Sequence, residues 1–265
     1  MNRKAVLLGI FATGGQVLLL RELVAVLHGD QLFIGVALFA WLMWVAVGAA
    51  LGGRSGIRVR SAAWFVIGGV FLPVSLVGLR LSSLLLTDIP GEAIPFTTGT
   101  LATVILLAPL AVVSGALFPA IVRDSGGDND GIVRTYLFEG LGAFAGGAAV
   151  SMLVGVHLSA LGMTLLLMAL VFAVVLAGAR RRPEYVLGAV SLLIIGGMAS
   201  VFVGPTLDQR LEEIRYDPYA VVSVFDTPYS RQTILSRDGA TILMTDNAVE
   251  GELPNREAAE YALIP

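Results

Sequence analysis

Tyr185-Val-Leu-Gly-Ala-Val-Ser-Leu-Leu-Ile-Ile-Gly-Gly-Met-Ala-Ser-Val-Phe-Val-Gly204 runs without a charge, and Pro205-Thr-Leu-Asp-Gln-Arg-Leu-Glu-Glu-Ile-Arg215 follows it with five. The solvent for which the chain is written changes here. Residues 1–204 are patterned for lipid and residues 205–265 for water. A helix needs about 20 mostly apolar residues to cross a bilayer. Working back from Gly204, seven stretches meet that length: 5–27, 31–52, 62–80, 99–122, 135–157, 159–179 and 185–204. The predicted fold is an α-helical polytopic membrane bundle of about seven transmembrane helices (1–204). An amphipathic linker helix (205–218) and a small antiparallel β domain (219–265) follow it.

Composition agrees. Charged residues make up 14% of the chain and its mean hydropathy is +0.84, against about a quarter charged in soluble domains. The net charge of −3 argues against a nucleic-acid partner. With no cysteine there is neither disulfide nor thiolate metal site, and two histidines, His28 and His157, make a poor metal cluster. Met1-Asn-Arg-Lys4 could open a signal peptide. The apolar run continues past Leu20 and further spans follow, so it reads as a first transmembrane helix.

Cytoplasmic loops of membrane proteins are rich in Lys and Arg. Arg3, Lys4, Arg54, Arg58, Arg60, Arg123, Arg134 and Arg180-Arg-Arg182 all fall in segments on one side of the predicted spans, while the other side carries only Arg80. The expected setting is a bacterial inner (plasma) membrane with a cytoplasmic N-terminus. An odd number of spans then puts the tail outside; a re-entrant seventh span returns it to the cytoplasm.

Gln16, Arg21, Glu22 and Glu139 fall within spans. A charge at mid-bilayer costs about 2.5–3.5 kcal/mol on insertion scales, so it is expected to face the bundle interior and find a partner. Adjacent helical residues do not face each other. The expected pair is therefore Arg21–Glu139, as a structural ion pair or as an intramembrane polar site. Glu139-Gly-Leu-Gly-Ala-Phe-Ala-Gly-Gly147 has the glycines of a dinucleotide loop but no preceding strand. Like Gly48, Gly52 and Gly53, these glycines read as close helix contacts.

In the tail, Leu207, Leu211 and Ile214 form a helical apolar stripe, to lie on the membrane surface or against a neighbouring domain. Strands are predicted at Val221–Phe225, Gln232–Ser236, Thr241–Thr245 and Ala248–Glu250. Asp226-Thr-Pro-Tyr229, Arg237-Asp-Gly239 and Asp246-Asn247 supply the turns between them, and a helix starts near Asn255. So small a sheet is marginal alone and has to lean on something larger.

Three stretches together resemble membrane-bound relatives of spermidine synthase, the polyamine aminopropyltransferases. They are Gln16-Val-Leu-Leu-Leu-Arg-Glu-Leu-Val24 continuing to Gly48-Ala-Ala-Leu-Gly52; Ser114-Gly-Ala-Leu-Phe-Pro119 with Tyr136-Leu-Phe-Glu-Gly-Leu-Gly142; and Asp226-Thr-Pro-Tyr229 through Asp246-Asn247 to Glu260 and Pro265. The resemblance implies aminopropyl transfer from decarboxylated S-adenosylmethionine as co-substrate. It also implies a Rossmann-like catalytic domain after Pro265, so the chain reads as truncated, split or deliberately shortened and is not expected to be catalytic by itself. The tail has no strand followed by a glycine-rich loop. Implied partners are the lipid bilayer, a Rossmann-like domain or chain, and a second copy of this chain.

Tyr229, Ser230 and Glu260 occupy positions that the resemblance assigns to substrate binding. Ser230 stands where the family commonly has glutamine, Ala258-Ala259 where it has a polar amine-lining pair, and Ile264 where it has histidine. Alanine cannot orient an amine, which puts putrescine in doubt as acceptor. Plain structural roles stand beside these: a packing aromatic for Tyr229, turn residues for Asp226, Asp246 and Asn247, an exposed helix position for Glu260. Two other functions fit the pattern. One is a transporter, given internal charges and helices interrupted at Pro73, Pro109 and Pro119. The other is a non-catalytic scaffold that binds a soluble transferase through its sheet edge.

Overall fold

The structure, a computed structural model, describes residues 2–54, 59–87, 92, 94–154, 156–179, 183–227 and 229–253. Its elements are α1 (Asn2–Val26), α2 (Gln31–Gly53), α3 (Ser61–Leu86), α4 (Phe96–Asp124), α5 (Asn129–Leu153), α6 (Ala160–Ala179), α7 (Pro183–Phe202), α8 (Gly204–Arg215), β1 (Ala220–Asp226), β2 (Arg231–Arg237), β3 (Ala240–Thr245) and β4 (Ala248–Leu253). Each predicted span overlaps one of α1–α7. Among the described residues six helices, α1–α6, are long and apolar enough to cross a membrane. The last predicted span reaches that standard only as a bent pair, residues 188–202 of α7 with α8, turned by 47°. Outward-facing side chains such as Leu85, Phe144 and Met152 are largely exposed. An exposed apolar surface of this extent is compatible with lipid contact.

Pro73 lies within α3, and Pro109 and Pro119 within α4, yet both helices run on without a break. The expected interruptions are absent. Neighbouring helices in a packed bundle can satisfy the backbone groups a proline frees.

Two helix pairs share one glycine interlock. A Cβ on Gly9 of α1 would lie 2.0 Å from the Glu139 carbonyl oxygen, and one on Gly142 of α5 would lie 2.1 Å from that of Val6. Gly115 of α4 and Gly48 of α2 repeat the exchange with the carbonyls of Val45 and Val112, each at 2.0 Å. Gly146 and Gly52 sit one turn further along, against Ile10 and Ala116. Backbones this close leave room for hydrogen only, the usual reason for small residues four apart in apolar helices. Gly140 and Gly53, grouped with them in the sequence, face open space.

The bundle has two distinct ends. At one, Lys4 of α1 donates to Asp124 of α4 (3.1 Å) and to Ser61 of α3 (2.8 Å). Arg123 donates to the Gly52 carbonyl at the same end. Arg58 and Arg180–Arg182 lie outside the described residues. The other end gathers the end of α1, the end of α3 and the start of α6, and the sheet docks there. The sheet is an antiparallel meander in the order β1-β2-β3-β4, with Ile234 opposite Leu243 and Val224 opposite Thr233. Asp238-Gly239 and Asp246-Asn247 turn with positive φ at both residues, the two-residue hairpin geometry that such pairs favour. The sheet's own buried core is small: Tyr216, Leu235 and Met244, with Tyr219, Val221 and Ile242 packed against it.

Candidate functional site

What the sheet lacks in apolar core is replaced by charge. Glu22, near the end of α1, is fully buried and accepts from the guanidinium groups of Arg80 (α3) and Arg231 (β2). The Arg80 contacts are both 2.8 Å, one from Nε and one from Nη2. Arg80 also pairs with Asp208 of α8, and Arg231 with Glu212 of α8 (3.3 Å) and Asp226 of β1 (3.0 Å). Arg21 completes the cluster from α1, donating to the Thr227 carbonyl and lying 3.7 Å from Asp226. Arg215 of α8 donates to Ser83 at the end of α3 (2.9 Å) and pairs with Glu212.

Arg21, Arg80, Arg215 and Arg231 balance Glu22, Asp208, Glu212 and Asp226, so the cluster is formally neutral. Neutrality matters because an uncompensated charge buried here would cost several kcal/mol. Asp226 ties three elements: it ends β1, pairs with β2 and accepts from the Ala160 backbone N–H at the start of α6 (3.2 Å). A carboxylate at a helix N-terminus is favoured by the free N–H groups there. Burial pushes its carboxyl up, but Arg231, Arg21 and Arg80 together outweigh burial and hold it below its ordinary value. For Arg231 itself, burial opposes the charge; Asp226 and Glu22 prevail and raise it well above the normal range. A second, neutral tie joins Asn247 to the Val26 carbonyl and His28, and Tyr216 to Asn247 (3.1 Å). Burial lifts the Tyr216 phenol to about 12.

Beside the cluster lies a cleft of about 360 Å³. Its inner walls are apolar: Val17, Leu20 and Val24 of α1, Ile34 of α2, Val150 of α5 and Val154 just after it. Its outer wall is the sheet, with Asp226, Ser230, Arg231 and Asp246, and Arg21 of α1 stands beside them.

The site residues expected from sequence are distributed as follows. Arg21, Tyr229 and Ser230 meet at the cleft, and Glu22 stands behind it as the hub of the ion cluster. The Arg21–Glu139 pair does not form. Glu139 packs its backbone against Gly9, twelve residues before Arg21 on α1. At 1.5 Å per residue that separation is roughly 18 Å. Glu139 is half-buried with no charged partner among the described residues, and Gln16 makes no side-chain hydrogen bond among them. Tyr229 is no packing aromatic: 92% of it is exposed at the rim. Asp226 and Asn247 are nodes of the junction as well as residues at turns. Glu260, Ala258, Ala259 and Ile264 lie outside the described residues. Sequence reasoning missed Arg80, Asp208, Glu212 and Arg231. Arg80 left one signal, as the lone basic residue on a side otherwise without them.

α8 buries its charged side, and most of its apolar stripe stays on the outside. Its buried residues are Gly204, Asp208, Glu212 and Arg215, while Leu207 and Ile214 are exposed and only Leu211 packs on the core. Three charged residues face inward because Arg80, Arg231 and Ser83 await them there.

No family model, curated protein or solved structure matches the chain. Among the described residues no group of His, Cys, Asp and Glu is arranged to hold a metal ion.

Proposed function

We propose that this chain is the membrane-embedded platform of a spermidine synthase-like aminopropyltransferase. In this reading it carries no catalytic centre; it holds the small sheet in one orientation for a Rossmann-like domain or chain that binds decarboxylated S-adenosylmethionine. One observation carries the platform role: the buried, charge-balanced cluster joining α1, α3 and α8 to β1 and β2. A tether needs no such joint, whereas a surface that positions a partner does. The aminopropyl donor rests on the resemblance of the three sequence stretches alone.

The test is capture of a partner. The full chain in lipid nanodiscs is incubated with the soluble fraction of its own cell, and retained proteins are identified by mass spectrometry. Retention of a transferase-like chain by the native protein, and its loss from Arg231→Gln, is the expected result. Retention that is equal in both, or of no transferase-like chain, contradicts the reading. The transport alternative loses one support in the unbroken α3 and α4, and its charged cluster sits at one end of the bundle. Flux of polyamine or cation through liposomes holding the chain would revive it.

A further inference from the structure

The junction cleft has two chemistries, and their arrangement selects a ligand. Its apolar part is a gap between the first turn of α2 and the last turns of α5, floored by α1. Ile34, Leu20 and Val150 line it and Ser151 stands exposed at its mouth. Its polar part is the sheet side, which presents both signs of charge. Arg21 faces it while donating to the Thr227 carbonyl, and Asp246 faces it from the β3–β4 turn. The Asp246 Oδ1 accepts from the Arg231 backbone N–H (2.8 Å), and no cationic side chain forms an ion pair with Asp246 among the described residues. If the bundle spans a bilayer, these helix ends lie at the depth of the headgroups. The volume, about 360 Å³, is at the lower end for small-ligand sites.

We propose that this cleft binds a phospholipid with a primary-amine headgroup, its phosphate beside Arg21 and Ser230, its ammonium on Asp246, and an acyl chain between α2 and α5. The mixed charge fits a zwitterion better than a bare polycation, which would meet two arginines. It also fits better than an anionic lipid, which would meet two carboxylates. A primary ammonium brings N–H donors to Asp246; a quaternary one brings none. Burial pushes the Asp246 carboxyl up despite the Arg231 backbone N–H and the charges of Arg231 and Arg21, and a bound ammonium would add to their pull. The proposal goes beyond the platform reading and stands or falls separately from it.

The full chain in detergent is titrated with short-chain phosphatidylethanolamine, phosphatidylcholine and phosphatidylglycerol, and with glycerophosphoethanolamine, which lacks acyl chains. Bound lipid is counted by native mass spectrometry. Phosphatidylethanolamine is expected to bind about tenfold more tightly than either other lipid, the size of one charge-assisted hydrogen bond. Glycerophosphoethanolamine is expected to bind much more weakly than the intact lipid. Asp246→Asn keeps the Oδ1 acceptor and tolerates the positive φ of 47°, so it is expected to fold and to lose the headgroup preference. Ser151→Phe blocks the mouth and is expected to weaken all three lipids. Equal binding of the three lipids overturns the proposal. So does a preference that survives both substitutions, or binding of glycerophosphoethanolamine as tight as that of the lipid, which would indicate a soluble amine ligand.

Discussion

Removing the Glu22 carboxylate takes away the two-toothed acceptor shared by Arg80 and Arg231 and leaves the buried cluster with one cation in excess, Glu212 alone remaining between the two guanidinium groups. Breaking a buried pair in this way costs about 3–5 kcal/mol. Glu22→Ala is therefore expected to unfold the junction, seen as a large fall in thermal midpoint in detergent. Arg21→Ala removes the most exposed cation of the cluster (18%), and its partner Asp226 keeps Arg231, so a smaller fall than for Glu22→Ala is expected. Similar losses for the two variants would mean that the cluster is not centred on Glu22. Acid has a definite sign here. Asp226 sits below its ordinary value in the folded chain. Its contribution is fully present above the unfolded pKa of about 3.9 and disappears as pH falls through the lower folded value. Docking of the sheet, followed by hydrogen exchange of β1 and β2 amides, is expected to hold at pH 5 and to fail only in stronger acid. The sequence marked Arg21 and Glu22 as charges in need of partners. It could not supply the partners, because pairing depends on helix register, and the Gly9–Glu139 contact sets that register only in three dimensions.

At the scale of elements, α8 inverts the common rule that an amphipathic helix buries its apolar stripe. Leu207→Ser and Ile214→Ser are expected to leave thermal stability within about 0.5 kcal/mol, as exposed substitutions usually do. Asp208→Leu removes the Arg80 partner and is expected to destabilise by several kcal/mol. The opposite ranking would restore the apolar face as the packed one. The strands were legible because alternation and turn residues are local: Asp238-Gly239 and Asp246-Asn247 fall where positive φ is required. The helices were legible from length and hydropathy. The face that α8 presents was not, because three charges on one side signal solvent unless their partners, fixed far away on α3 and β2, are known. The glycine interlock was half legible. Spacing singled out Gly142 and Gly146 but gave the same weight to Gly140 and Gly53, which touch nothing. Gly142→Ile is expected to separate α1 from α5 and abolish folding, whereas Gly53→Ala is expected to be nearly neutral by the same thermal measurement.

Across the whole molecule, the sheet and the Lys4–Ser61–Asp124 contact occupy opposite ends of the bundle. Placing the basic end in the cytoplasm, as the positive-inside rule directs, puts the sheet outside. A C-terminal alkaline phosphatase fusion is then expected to be active and a fluorescent-protein fusion dark. An active phosphatase fusion would also contradict a transferase fed with decarboxylated S-adenosylmethionine, which is expected in the cytoplasm; the reverse result would put the sheet there and would overturn the orientation drawn from the basic loops. Either way, the platform role depends on a sheet that does not swing. The chain has no cysteine, so single cysteines at exposed Leu32 on α2 and Asp238 in the β2–β3 turn can carry one spin label each. Double electron–electron resonance between them reads the angle of the sheet on the bundle. A single narrow distance distribution that broadens in Arg231→Gln is the expected result. A distribution already broad in the native chain, or one equally narrow after the substitution, would contradict the view that the buried ion cluster fixes the sheet.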